Sequence, residues 1–177
     1  MKRDLLYNLN KWVEEKERKP IILRGPRQVG KSWLAQEIGK RFDNFVEINF
    51  EMIPELGPFF EGNLDPNELI KNISNYLKVD IIPGKTLLFF DEIQQVPRAI
   101  TSLRYFYEKI PDLHVLAAGS LLEFEFRNIS IPVGRVSFLY VYPMSFGEYL
   151  TASGNANLRQ MLLENNFTKL SEPFHEK

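Results

Sequence analysis

There is no cysteine in this chain, and its only two histidines, His114 and His175, stand far apart in the 177 residues. Disulfides and thiolate-bound metals are excluded, and a zinc site has almost nothing to be built from. No apolar stretch approaches the ~20 residues that a bilayer-crossing helix needs. The charged start, Met1-Lys2-Arg3-Asp4, lacks the apolar core of a secretory signal. An excess of either charge is missing too: 22 Lys+Arg against 23 Asp+Glu leave a net −1. The chain therefore has no global basic field of the kind that drives non-specific nucleic-acid binding. Repeats and low-complexity tracts are absent. These absences predict a cytoplasmic protein without membrane attachment and disfavour nucleic acid as its main partner. With 44% hydrophobic residues, the chain can bury one sizeable core.

Strand-like and helix-like patterns alternate along the sequence. Leu5, Leu6, Leu9, Trp12 and Val13 form one stripe of a predicted amphipathic helix over residues 3–18. Strands are predicted at 20–23, 45–50, 86–90, 114–118 and 136–142. The run Thr86-Leu87-Leu88-Phe89-Phe90 is apolar throughout, as a central parallel strand covered on both faces requires. Helices are predicted from the end of the first loop to about 41, from 66 to before Pro83-Gly84, and over 97–110. Asp65-Pro66-Asn67-Glu68 supplies a cap, a first-turn Pro and a first-turn acid for the second of these. Ser145-Phe146-Gly147-Glu148 has the spacing of a capping box for a further short helix. Residues 54–64, punctuated by Pro and Gly, read as a loop with short turns. The more polar tail holds one helix around 158–163, with no evident docking partner. This order predicts an α/β protein with a parallel sheet.

The chemistry-bearing feature is Gly25-Pro26-Arg27-Gln28-Val29-Gly30-Lys31-Ser32, which fits G-x-x-x-x-G-K-[ST]. A predicted strand precedes it and a helix beginning at Trp33 follows. In that context loop amides and a helix N-terminus converge on a polyphosphate; the bland alternative is a Gly-rich turn. Gly30 lets the backbone approach phosphate oxygens, Lys31 reaches the β/γ-phosphates, and Ser32 offers its hydroxyl to Mg²⁺. Pro26 has no N–H, so the donors come mainly from residues 28–32. Residues 25–33 are thus the candidate nucleotide contacts. Further along, Leu87-Leu88-Phe89-Phe90 ends in Asp91-Glu92. Two carboxylates at a strand tip are often only polar residues leaving a buried strand. After a phosphate loop they become candidates for holding Mg²⁺ through water (Asp91) and for general-base catalysis (Glu92). Ser120, after Ala117-Ala118-Gly119, could contact the γ-phosphate or cap a helix over 121–126. Arg135, just before the fifth strand, could reach a nucleotide across a subunit contact or simply form a salt bridge. Arg24 and Arg27 flank the loop as braces or contacts. No N-K-x-D motif follows, so adenine is favoured over guanine, and no Arg-rich lid suggests a small-molecule kinase.

Taken together, the loop with its preceding Leu23-Arg24, then Phe90-Asp91-Glu92-Ile93-Gln94, Ala118-Gly119-Ser120, and Gly134-Arg135 with Tyr142-Pro143-Met144-Ser145-Phe146-Gly147-Glu148-Tyr149 resemble the prokaryotic AAA+-type, STAND-like P-loop ATPases. The resemblance covers about residues 18–150. It implies a five-stranded parallel sheet of order 5-1-4-3-2 flanked by helices. It also implies Lys31 and Ser32 as nucleotide and metal contacts, Asp91 and Glu92 as metal and catalytic acids, and Ser120 as a sensor-like residue. Such proteins commonly carry a C-terminal domain and run to about twice this length. Residues 1–150 are then the ATPase domain, and 151–177 the start of a truncated region. The expected ligands are ATP or ADP with Mg²⁺, and hydrolysis is expected to drive a conformational switch. A nucleotide-gated binding module with little turnover and a nucleic-acid-dependent ATPase are the alternatives. A second copy or a partner protein is left open.

Overall fold

The computed structural model describes residues 3–119 and 132–164. Helix α1 (Leu5–Glu14) leads into strand β1 (Ile21–Arg24), helix α2 (Lys31–Gly39) and strand β2 (Asn44–Asn49). Then come a 3-10 turn (Pro54–Phe60), α3 (Pro66–Leu77), β3 (Thr86–Asp91), a short 3-10 turn (Ile93–Gln95), α4 (Pro97–Lys109) and β4 (His114–Gly119). Strand β5 (Ser137–Tyr140), α5 (Phe146–Ala152) and α6 (Ala156–Leu163) complete the described chain. The five strands form one sheet in the order β2-β3-β4-β1-β5. Every pairing is parallel. That is the order and fold expected of a P-loop NTPase. The helix predicted over 121–126 lies outside the described residues. Among the described residues no helix is long and apolar enough to cross a membrane.

Strand periodicity builds the two core layers. Along β3, Leu87 and Phe89 point to one face with Leu23, Leu116 and Ala118, and α1 and α2 cover them through Leu9, Trp12, Leu34 and Ile38. Leu88 and Phe90 point to the other face with Ile22, Ile48 and Val115, beneath α3, α4 and the first 3-10 turn. Phe60 lies edge-on to both Phe50, at 5.4 Å, and Phe90, at 5.8 Å. Such contacts add about 0.5–1.5 kcal/mol each beyond area burial. They also anchor the turn at 54–60 within the expected loop with short turns: it is a 3-10 turn whose Leu56 and Phe60 are core residues.

Local signals set the helix ends. Asp65 caps α3 by accepting the Asn67 amide at 2.9 Å, and both halves of the Ser145/Glu148 capping box are formed. Helix α1 stops at Glu14, short of the predicted end, because Glu15 turns to extended backbone. The Trp12 indole then donates to the Lys19 carbonyl at 2.7 Å and ties down the connection to β1. The tail helix does have a docking partner. Arg159 of α6 pairs with Asp4 at 2.7 Å and donates to the Thr151 hydroxyl at 3.2 Å.

His114 opens β4 inside this packing. Its Nε2 lies 3.2 Å from the Val13 carbonyl, and its ring sits edge-on to Trp12 and Phe42. Burial holds its pKa below the ordinary 6.5, helped by the Arg18 and Arg41 charges and opposed by the Val13 contact and Asp112. A histidine depressed in the folded state binds its proton more tightly when unfolded. Stability is therefore full above about pH 6.5 and lost as pH falls from there through the folded value. Thermal melts between pH 7.5 and 5.5 are expected to show this decline in the wild type and a flatter profile in His114→Phe. Equal slopes would contradict the assignment.

Candidate functional site

The phosphate loop leaves β1 at the carboxyl edge of the sheet, where parallel α/β proteins gather their ligands. Gly25 has no room for a side chain: a Cβ there would lie 2.1 Å from the Val141 carbonyl oxygen. Gln28 (φ 64°) and Gly30 (φ 91°) both take the left-handed conformation. Such alternation turns successive amides toward one side and makes an anion-binding concavity. Gly30 is also the N-cap of α2. Lys31 is only 6% exposed, and its Nζ donates to the Gly25 and Pro26 carbonyls at 3.0 and 2.7 Å. Burial lowers its pKa, against the opposing pull of Glu92 and Asp91.

The acids meet the loop from β3. Ser32 Oγ donates to Asp91 Oδ2 at 2.8 Å, and the Asn49 amide reaches the same oxygen at 3.4 Å. Asp91 Oδ1 accepts the Glu92 amide at 3.0 Å. Asp91 is 5% exposed; burial raises its pKa, and the Ser32 and Glu92 hydrogen bonds resist the rise. Glu92 sits at φ 50°, a conformation costing of order 1 kcal/mol or more for a non-glycine residue and concentrated at functional sites. Gln94 donates to its carboxylate. A cavity of about 490 Å³ opens between loop and acids, with Arg27, Lys31, Ser32 and Trp33 on one side and Glu51 and Glu92 on the other.

The candidate residues divide by position. Arg27, Gln28, Gly30, Lys31, Ser32, Trp33 and Glu92 border the cavity, and Asp91 adjoins it through Ser32. Gly25 and Pro26 give their carbonyls to Lys31, and the Val29 side chain is buried in the core layer beneath. Ser120 lies outside the described residues. Arg135 is not brought to this cavity within the chain. It stands before β5, at the opposite edge of the sheet, and pairs with Glu108 at 2.8 Å. Arg24 braces the sheet edge, donating to the Tyr140 hydroxyl at 3.1 Å.

Sequence reasoning missed Asn49, Glu51 and Gln94. Asn49 ends β2 and Glu51 follows it, and their position at the same sheet edge was a usable signal. It missed Arg3 too, for which the sequence carried no signal.

Among the described residues, Ser32 and Asp91 bring two side-chain oxygens to within 2.8 Å of each other beside the cavity. That sparse, all-oxygen set fits Mg²⁺, which keeps most of its water and takes phosphate oxygens. Comparison with known proteins gives the family and the fold. The profile of an AAA domain family (AAA_14) matches residues 17–150. No curated protein matches the sequence. Among solved structures, the Walker-type ATPase Paby2304 of Pyrococcus abyssi shares the fold with a TM-score of 0.54 at 17% identity. The alignment covers 92% of this chain and 62% of that one, so this chain spans less than two thirds of its length.

The crowding at Gly25 yields a direct test. Gly25→Ala forces Val141 or the loop to move, at a cost of about 1–3 kcal/mol, and is expected to lower the melting temperature and weaken nucleotide binding. Gly62→Ala, where an added Cβ meets nothing within 4 Å, is expected to leave both unchanged. Thermal melts and titration with a fluorescent nucleotide check the pair.

Proposed function

Since the chain belongs to the AAA domain family, we propose that it is a Mg²⁺-dependent ATPase whose nucleotide cycle drives a conformational switch. The observation that carries this reading is the shared cavity: the phosphate loop, Lys31, Ser32 and the Asp91-Glu92 pair meet at one edge of the sheet. In this reading residues 1–150 are the ATPase domain and residue 151 onward opens a further region.

The roles follow from the chemistry of each group. Amides of residues 28–32 and the N-terminus of α2 bind the phosphates. Lys31 exchanges its loop carbonyls for β- and γ-phosphate oxygens. Ser32 and Asp91 would hold Mg²⁺, whose chemistry when bound is to polarise the phosphate oxygens and offset their charge. Glu92 accepts a proton from the water that attacks the γ-phosphorus. The bond to the β–γ bridging oxygen breaks, and ADP and phosphate leave. Gln94 orients the Glu92 carboxylate for that task. A second reading, a nucleotide-gated module with little turnover, draws on the position of Arg135. This arginine can reach a nucleotide only in another copy of the chain.

Two measurements decide between these readings. MgATP at 100 times its Kd should stabilise the fold by ~2.7 kcal/mol, and Lys31→Ala should abolish most of that shift. Glu92→Gln should retain binding while phosphate release falls about 10²-fold or more. Equal release by wild type and Glu92→Gln would sink the hydrolytic reading and leave the gated one. No thermal shift with MgATP would sink both.

A further inference from the structure

Arg3 and Glu148 lie at opposite ends of the chain, and both are buried, 4% and 5% exposed. The Arg3 guanidinium uses each of its nitrogens: Nε donates to Glu148 Oε1 at 3.0 Å, Nη1 to the Val29 carbonyl and Nη2 to the Tyr142 carbonyl, both at 2.7 Å. Glu148 Oε1 also accepts the Asp4 amide at 2.8 Å, and Oε2 accepts the Ser145 amide at 2.8 Å. Burial alone would raise the Glu148 carboxyl, but these amides and the guanidinium hold it below its ordinary value. Every nitrogen and carboxylate oxygen of the pair has a partner, and one of its acceptors is a carbonyl of the phosphate loop itself.

That contact fixes a direction. In a trans peptide the C=O and the following N–H point opposite ways. Holding the Val29 carbonyl on Arg3 therefore turns the Gly30 amide away from Arg3, and Gly30 itself borders the cavity. The same guanidinium holds the Tyr142 carbonyl, next to the Val141 carbonyl against which Gly25 is pressed. One end of the loop thus rests directly on the segment that joins β5 to α5, and the other is tied to it through Arg3. The capping box of α5 has a second use: the carboxylate that closes it also anchors the arginine.

We propose that Arg3 and Glu148 are positioning residues for phosphate binding, which clamp the Val29–Gly30 peptide in its anion-accepting orientation and couple it to α5. This rests on the nucleotide-binding reading above. Neither side chain touches the nucleotide; they act through the loop backbone.

The test uses the 177-residue chain with Arg3→Lys, which keeps the charge but loses the fork, and Glu148→Gln, which keeps the shape but loses the charge. Each folded variant is expected to raise the Kd for MgADP about tenfold or more, the usual loss for hydrogen bonds to charged groups. The double variant should be little worse than the poorer single one, because the pair works as a unit. Ile73→Val, in the remote core under α3, should lower the melting temperature and leave Kd unchanged. A folded Arg3→Lys or Glu148→Gln with wild-type Kd overturns the proposal, as does a Kd rise in Ile73→Val that matches theirs. Should both variants fail to fold, hydrogen exchange on the wild type decides. MgADP must then protect residues 145–150 together with the loop, and protection of the loop alone overturns the coupling. Failure of the wild type to bind MgADP removes the nucleotide reading and this inference with it. Intact wild-type binding with unaffected variants removes only the inference.

Discussion

The hydrogen bond from Ser32 to Asp91 joins two elements that the sheet holds apart. Ser32 stands at the start of α2, which follows β1, and Asp91 ends β3; β4 lies between those strands. The bond can form only if the first turn of α2 passes close over the tip of β4. That tip is Ala117-Ala118-Gly119, and Ala118 packs in the same layer as Leu34 and Ala35 of α2. A larger residue at Ala118 would lift the helix and separate hydroxyl from carboxylate. The strand order and this small residue thus set the distance on which any metal chemistry at this edge depends.

The same edge concentrates charge that burial disfavours. Lys31 and Asp91 are both nearly inaccessible, and their pKa values move in opposite directions, each toward its neutral form. A fold maximising stability alone would not place an ammonium and a carboxylate there, since desolvation of each costs several kcal/mol unless well compensated. The compensation is partial: two carbonyls for the lysine, a hydroxyl and two amides for the aspartate. Strain at Gln28 and Glu92 adds to the cost. Sites where several local rules fail together are where function is expected. Here the failures cluster around one cavity.

Much of this was legible in the sequence, for identifiable reasons. The apolar run from Thr86 to Phe90 and the short β1 pattern exposed buried parallel strands, because both faces of such strands must be apolar. The caps at Asp65 and Ser145 were legible because side-chain-to-amide bonds act within three residues. The phosphate loop and Asp91-Glu92 stood out because backbone approach and strand-tip charge demand particular residue types. What escaped was long-range. The burial of the 54–60 turn in the core comes from Phe60 meeting Phe50 and Phe90, which local propensity cannot register. Asn49 and Glu51 enter the site only through the pairing of β2 with β3. Arg3 is an unremarked basic residue until the fold carries it to the loop.

Arg3 and Glu148 also show how stability and geometry can part company. A buried ion pair is weak evidence for stability, since an apolar pair of similar shape often serves the fold as well or better. What an apolar pair cannot do is grip carbonyl oxygens. The motif G-x-x-x-x-G-K-S leaves four positions free in side chain, and the Val29 side chain is accordingly spent on the core. Its carbonyl, invisible to any side-chain pattern, is the atom the guanidinium takes. Orientation of the loop backbone is therefore specified from outside the motif, by residues whose identities matter for direction more than for the stability of the fold.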